Sequence, residues 1–207
     1  MSEVIYFLGM RLEFWTLFLA IIAIVFTGLK DFIIPAIFRP NLKISYFPKE
    51  PYKRAGIVIH PGSNLGAFDR FKIENIGSNT AKNCRCQIYS IKNKESKEID
   101  LRGFPLRWAS RPDSAESFTK AERLNIGPGE SEFVDLAHMR SDDTTKIFFN
   151  SYHNIPSGMA NNIPIGENTI KIIVSGDNFK PYFANFKIFE ELDLGGFHIK
   201  LLGVKRK

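Results

Sequence analysis

The chain has 207 residues, 44% of them apolar, with 28 Lys or Arg against 22 Asp or Glu and a formal net charge of +6. That is the size of one globular domain with an added segment, able to bury a core without disulfides or metal ions. The only cysteines, Cys84 and Cys86, stand one residue apart on a predicted strand and point the same way, so a strained bond and any disulfide framework are excluded. Nucleic-acid binding is disfavoured, because the basic residues are dispersed and no nucleic-acid motif is present.

Residues 14–29, FWTLFLAIIAIVFTGL, carry no charge. They cover about 24 Å as a helix, short of the roughly 30 Å hydrocarbon core of a bilayer. Extension to Leu12–Ile34 gives about 35 Å, and this is the predicted transmembrane helix of an N-terminal segment, 1–38. Phe14, Trp15 and Phe32 suit interfacial depth. Pro35 is a natural stop, because a residue before proline disfavours helix. A cleaved signal peptide is opposed by the missing positive n-region and A-x-A site. A buried core helix is opposed by the lack of any polar face.

Before the span stand Arg11, Glu3 and Glu13. After it come Arg39, Lys43, Lys49, Lys53 and Arg54, opposed by Glu50. The positive-inside rule then places the C-terminal domain in the cytoplasm, and the lack of disulfides agrees. Lys30 is placed to snorkel to the interface. Lys30, Arg39, Lys43, Lys49, Lys53 and Arg54 are the predicted membrane-surface set, facing anionic headgroups.

Residues 39–56 read as a short basic linker with Pro40, Pro48 and Pro51, and contain a first strand, Leu42–Tyr46, that alternates apolar and polar. Residues 57–207 read as the β domain. Nineteen phenylalanines lean the composition towards pleated, half-buried surfaces. In chain order the strand-like runs are Phe71–Glu74, Cys84–Ile88, Leu106–Trp108, Leu124–Ile126, Phe133–Leu136, Lys146–Phe149, Ile170–Val174, Tyr182–Ile188 and Phe197–Leu201, each bounded by turn residues. Strands this short and this regular predict an all-β sandwich or barrel. No long helical period follows residue 38.

The run FKIENIGSNTAKNCRCQI, residues 71–88, resembles the strand–turn–strand of prokaryotic immunoglobulin-like domains, including the CARDB type, at Asn75, Gly77, Ala81 and Asn83. Ile126–Glu130 and Asn168–Asp177 look like the later turn and late core strand of such a domain. The order fits from about residue 42 to 190. The stretch 92–123 and the strand near 197 depart from the compact pattern. The resemblance implies an immunoglobulin-like β-sandwich that binds or spaces, and it brings no catalytic residues.

Motifs for chemistry are sparse. His60, His138, His153 and His198 form no H-E-x-x-H pair and no spaced zinc set. Cys84-x-Cys86 with a histidine from a neighbouring strand would suit a metal, but two small core side chains are the commoner use. His60–Gly66 lacks the endings of a phosphate loop and of a nucleophile elbow, and Gly127-Pro128-Gly129-Glu130 reads as a tight turn. Trp108 between Arg107 and Arg111 would be a recognition surface if exposed; on a sandwich strand a Trp more often joins the core. Residues 109–123 and 153–166 are the loops in which a binding edge is expected.

The expectation is a membrane-anchored, non-enzymatic interaction module that meets the lipid bilayer and a protein partner, and requires no cofactor. One alternative is an effector whose β domain senses a ligand and whose helix homo-oligomerises in the bilayer. An enzyme comes third, because no nucleophile, acid–base pair or metal set stands out.

Overall fold

The computed structural model describes residues 6–7, 10–30, 38–57, 66–99, 101–111, 123–140, 143–151, 162–191 and 196–207. The chain divides into two compact units, Met1–Arg39 and Pro40–Lys207.

In the first unit, β1 (Tyr6–Phe7) pairs antiparallel with β2 (Met10–Arg11), and α1 follows as Leu12–Gly28. The expected helix was longer. The α-helix ends at Gly28, whose missing side chain lowers helix propensity, and Leu29 and Lys30 form a π turn. Asp31 to Ile34 and the expected stop at Pro35 lie outside the described residues. No helix among the described residues is long and apolar enough to cross a membrane. The surface of α1 is nonetheless apolar: Phe14, Leu17, Leu19, Ile21, Ile24 and Phe26 are all exposed, Ile24 at 72%. The hydroxyl of Thr27 donates to the Ala23 carbonyl at 2.9 Å, so the helix satisfies that polar group internally.

The second unit is all β, as the turn spacing predicts. Its strands are β3 (Leu42–Ser45), β4 (Lys53–Ile57), β5 (Gly66–Asn75), β6 (Ala81–Asn93), β7 (Glu98–Ile99), β8 (Arg107–Trp108) and β9 (Leu124–Ile126). Then come β10 (Ser131–Arg140), β11 (Asp143–Phe149), β12 (Asn162–Pro164), β13 (Asn168–Ser175), β14 (Tyr182–Glu191) and β15 (Gly196–Arg206). They make two antiparallel sheets. One has the order β12-β11-β10-β5-β3, with β4 also on β5 and β8 on β10; the other has the order β15-β14-β13-β6-β7, with β9 also on β6.

The alternation read from the sequence builds the core. Ile170, Ile172 and Val174 of β13 are buried, as are Tyr182, Ala184, Phe186 and Ile188 of β14. They face Phe71 and Ile73 of β5 and Val134 and Leu136 of β10 within one apolar cluster. Phe71 meets Phe186 across the sheets with ring centroids 5.1 Å apart. Truncating a buried Phe to Ala costs about 3–5 kcal/mol, so this pair is a strong tie between the layers. In β10 the alternation breaks. A bulge between Asp135 and Ala137 lets Leu136 and Ala137 both be buried, since two residues there oppose one on the partner strand.

The turns at one end are locked by side-chain amides. Asn75 is fully buried. Its Nδ2 donates to the Asn79 carbonyl at 2.7 Å and to the Ile126 carbonyl at 2.9 Å. Its Oδ1 accepts from the amides of Gly77 at 3.0 Å and Asn41 at 3.2 Å. Asn178 bridges the β5–β6 and β13–β14 turns, accepting from the Lys82 amide and donating to the Thr80 carbonyl, each at 2.9 Å. Asn83 adopts φ 52°, a conformation that asparagine tolerates, and its side chain bonds Asp177. A Cβ on Gly176 would stand 2.6 Å from the Lys82 carbonyl oxygen, so only glycine allows this approach.

Two features depart from expectation. The region read as linker contains β4, which pairs along β5. The loop 153–166 contains β12, which pairs with β11; residues 152–161, and residues 112–122 of the other loop, lie outside the described residues.

Candidate functional site

The residues singled out as a recognition surface lie on and beside β8. The Trp108 backbone pairs with Val134 of β10, and its side chain is 0% exposed. An exposed tryptophan edged by arginines is therefore not present: the indole fills the core, the commoner fate on such a strand. Arg111 is half-buried, and its amide closes a turn onto the Trp108 carbonyl at 3.1 Å.

Arg107 turns to the other face of the strand. Its Nε lies 3.6 Å from one oxygen of Asp135, and Arg70 Nη2 lies 3.4 Å from the other. The register explains this meeting, because Asp135 stands opposite Arg70 of β5 on one side and Arg107 of β8 on the other. Asp135 is 3% exposed. Arg70 also lies over the rings of Phe68, at 4.8 Å, and Phe133, at 5.9 Å, contacts that favour a guanidinium. Beside this row His138 stacks on Phe148 with centroids 5.5 Å apart. Chemically the row is a buried carboxylate held between two guanidiniums. It presents neither a nucleophile nor an acid–base pair with open access, and its geometry is that of a cross-strand tie. The sequence carried no local signal for it, since Arg70, Arg107 and Asp135 are far apart in the chain.

A cleft of about 430 Å³ opens where the sheets meet at one edge, lined by Tyr46, Pro48, Phe189, His198, Ile199, Lys200 and Leu201. Tyr46 donates its hydroxyl to Oδ1 of buried Asp69 at 2.7 Å, which fixes the ring at the cleft wall. His198 lies against Phe189 with centroids 5.5 Å apart. Lys53 Nζ donates to the Phe197 carbonyl at 3.3 Å, tying β4 to the start of β15. On the outer side of the second sheet, Lys171 Nζ sits 4.8 Å from the Tyr89 ring and 4.7 Å from that of Phe183.

Of the membrane-surface set, Lys30, Arg39, Lys43 and Lys49 are exposed. Lys53 is half-buried and engaged with Phe197. Arg54 lies on β4, its backbone opposite Phe68. Cys84 and Cys86 are free thiols in the core. Burial pushes the Cys84 thiol up to about 12 and the Cys86 thiol up as well. Among the described residues no three His, Cys, Asp or Glu side chains group to hold a metal ion; His60 and His153 lie outside them.

No protein-family model and no curated protein matches the chain. Among solved structures the chain is similar to a family 123 glycoside hydrolase from Clostridium perfringens, a structure described in connection with glycolipid glycan hydrolysis, at 14% identity and a TM-score of 0.38. The match covers 74% of this chain and 28% of that one, and a likeness this distant carries no argument about activity.

Proposed function

We propose that this protein is a membrane-anchored binding module, held by α1 and presenting its β domain at the cytoplasmic face. The observation that carries the reading is the exposed apolar surface of α1, with Leu17, Leu19, Ile24 and Phe26 each more than half exposed. A helix apolar on every side has no stable place in water. Its 17 residues measure about 25 Å, against a hydrocarbon core of roughly 30 Å. Local bilayer thinning and snorkelling by exposed Lys30 accommodate such a mismatch. Each exposed basic residue at an anionic surface adds on the order of 1 kcal/mol, which supports a role for Lys43 and Lys49.

The β domain suits binding rather than catalysis because its buried carboxylates, Asp69 and Asp135, are engaged within the fold. Its order also supports the immunoglobulin-like assignment. Strands β3, β5 and β10 take the places of A, B and E in one sheet, and β6, β13 and β14 those of C, F and G in the other; β15 is then an addition after G.

Alkaline carbonate extraction of full-length protein tests the anchor. The wild type is expected in the membrane pellet. Ile21→Arg, next to the middle of α1 and costing about 2.5–3.5 kcal/mol at a helix centre, is expected to release a large fraction. Recovery of the wild type in the soluble fraction at low salt, without detergent, overturns the reading. Lys94→Cys, at an exposed turn position, reports sidedness: a membrane-impermeant maleimide is expected to label it only after the cytoplasmic face is opened.

A further inference from the structure

The second sheet ends in a long strand with an open side. β15 runs for 11 residues, Gly196–Arg206, and among the described residues its ladder partner is β14 alone. Lys207 donates its amide to the Pro181 carbonyl at 3.0 Å, and Tyr182 stands opposite Arg206. By the alternation of an antiparallel ladder, the backbone groups of Val204 and Arg206 therefore point away from β14. Leu202 and Val204 are exposed, Leu202 at 52%.

Beyond its start, where Lys53 Nζ donates to the Phe197 carbonyl at 3.3 Å, such an edge is a template for a further strand. Its charge says which kind. Residues 196–207 contain Lys200, Lys205, Arg206 and Lys207 and no acidic residue. Lys200 and Lys205 are exposed, opposite Lys187 and Phe183 of β14. Pairing with a second copy would set this basic strand against itself, and like charges directly opposite are destabilising. Edge lysines alone would serve only to prevent self-association. Here Ile199 and Leu201 also form part of a cleft of about 430 Å³ with Tyr46 and Pro48, a volume in the range of ligand clefts, and a guard function does not call for one.

We propose that the free edge of β15 accepts an extended acidic segment of a partner protein as an added strand. Alternate apolar side chains of that segment enter the cleft, and its carboxylates meet Lys200 and Lys205. The proposal rests on the binding-module reading and names the chemistry of the partner.

The test uses full-length protein in mild detergent and a fluorescein-labelled eight-residue peptide of alternating valine and glutamate. A peptide of alternating valine and lysine is the control, and fluorescence polarisation is the readout. Saturable binding of the acidic peptide is expected, weakening as salt rises. Val204→Pro removes an outward amide while leaving the β14 ladder intact and is expected to weaken binding by at least about tenfold. Lys200→Glu with Lys205→Glu changes only exposed side chains and is expected to abolish selectivity for the acidic peptide; it decides the question if the proline variant misfolds. Equal binding of both peptides, or unchanged binding by the charge-reversed variant, overturns the proposal. So does a concentration-dependent dimer that Val204→Pro dissolves, which would assign the edge to a second copy. Retention in the membrane pellet depends on α1 and is untouched by these variants, so failure at the edge and failure of the anchor are read separately.

Discussion

Replacing Asn75 with Ala probes a buried polar knot of the β domain. The side chain makes four hydrogen bonds, to Asn41, Gly77, Asn79 and Ile126. The four differ in what water can replace. Ile126 is 0% exposed, so stranding its carbonyl costs about 1–3 kcal/mol. Asn41 and Asn79 are exposed residues and Gly77 is half-exposed, and their bonds contribute about 0.5–1.5 kcal/mol each. The expected loss is about 2.5–7.5 kcal/mol, a large share of a domain's stability, or a fall in Tm of roughly 5–30 °C. The assay is urea unfolding of full-length protein in mild detergent with Trp15→Phe as background, so that core Trp108 is the sole reporter. Asn75→Asp sharpens the test. It keeps an acceptor for the Asn41 and Gly77 amides but sets a carboxylate oxygen against two carbonyls, so it is expected to be at least as unstable as Ala. A loss under about 1 kcal/mol for Ala, or wild-type stability for Asp, refutes the reasoning.

The thiols give a second prediction. Cys84 and Cys86 are buried and their pKa values are raised by burial, so native protein is expected to resist maleimide at pH 8 and to react after unfolding; rapid stoichiometric labelling of the folded state would contradict this. The raised values also set a pH trend: the fold keeps the thiols neutral, so their contribution is complete below the unfolded value near 9 and is lost as pH rises towards about 12. The urea midpoint is accordingly expected to fall more steeply above pH 9 in the wild type than in the Cys84→Ala, Cys86→Ala double variant. For Asp135→Ala the expectation is a loss of about 2–4 kcal/mol, because two guanidiniums that are 20% and 26% exposed are left side by side; a loss under about 0.5 kcal/mol by urea titration would mean that solvent already screens the pair.

The strands legible in the sequence were those with a buried face and a polar one. Ile170-x-Ile172-x-Val174 and Tyr182-x-Ala184-x-Phe186-x-Ile188 announce both their conformation and their inner side, because a strand alternates faces with period two. The Asn75-x-Gly77 turn was legible too, but only as a turn. Its linkage of Asn41 to Ile126 joins residues 85 positions apart and has no local signature. β4 was hidden because Lys53-Arg54-Ala55-Gly56-Ile57 lacks alternation and follows two prolines; it forms because β5 extends beyond β3 and offers it a ladder. Trp108 was open to two readings, since exposure is a property of the packed sheets and not of its neighbours in the chain.

Several residues that the sequence singles out are therefore consumed by the fold, whereas Lys30, Arg39, Lys43 and Lys49 stay exposed. Trp108 packs the core, Arg107 neutralises Asp135, Cys84 and Cys86 fill the interior, and Asn75 and Asn83 lock the turns. What remains for a partner is set by topology rather than by motif. At one edge of the first sheet β4 and β3 lie side by side along β5 and at the other stands three-residue β12, while one edge of the second sheet is made by the short β7 and β9 along β6. The second sheet ends in a single strand of 11 residues, basic, partly apolar and bordered by a cleft. An added strand gains affinity from main-chain hydrogen bonds and specificity from alternate side chains, and such a site leaves no catalytic signature in the sequence. The edge of β15 thus fits the proposed function, recognition of an extended chain.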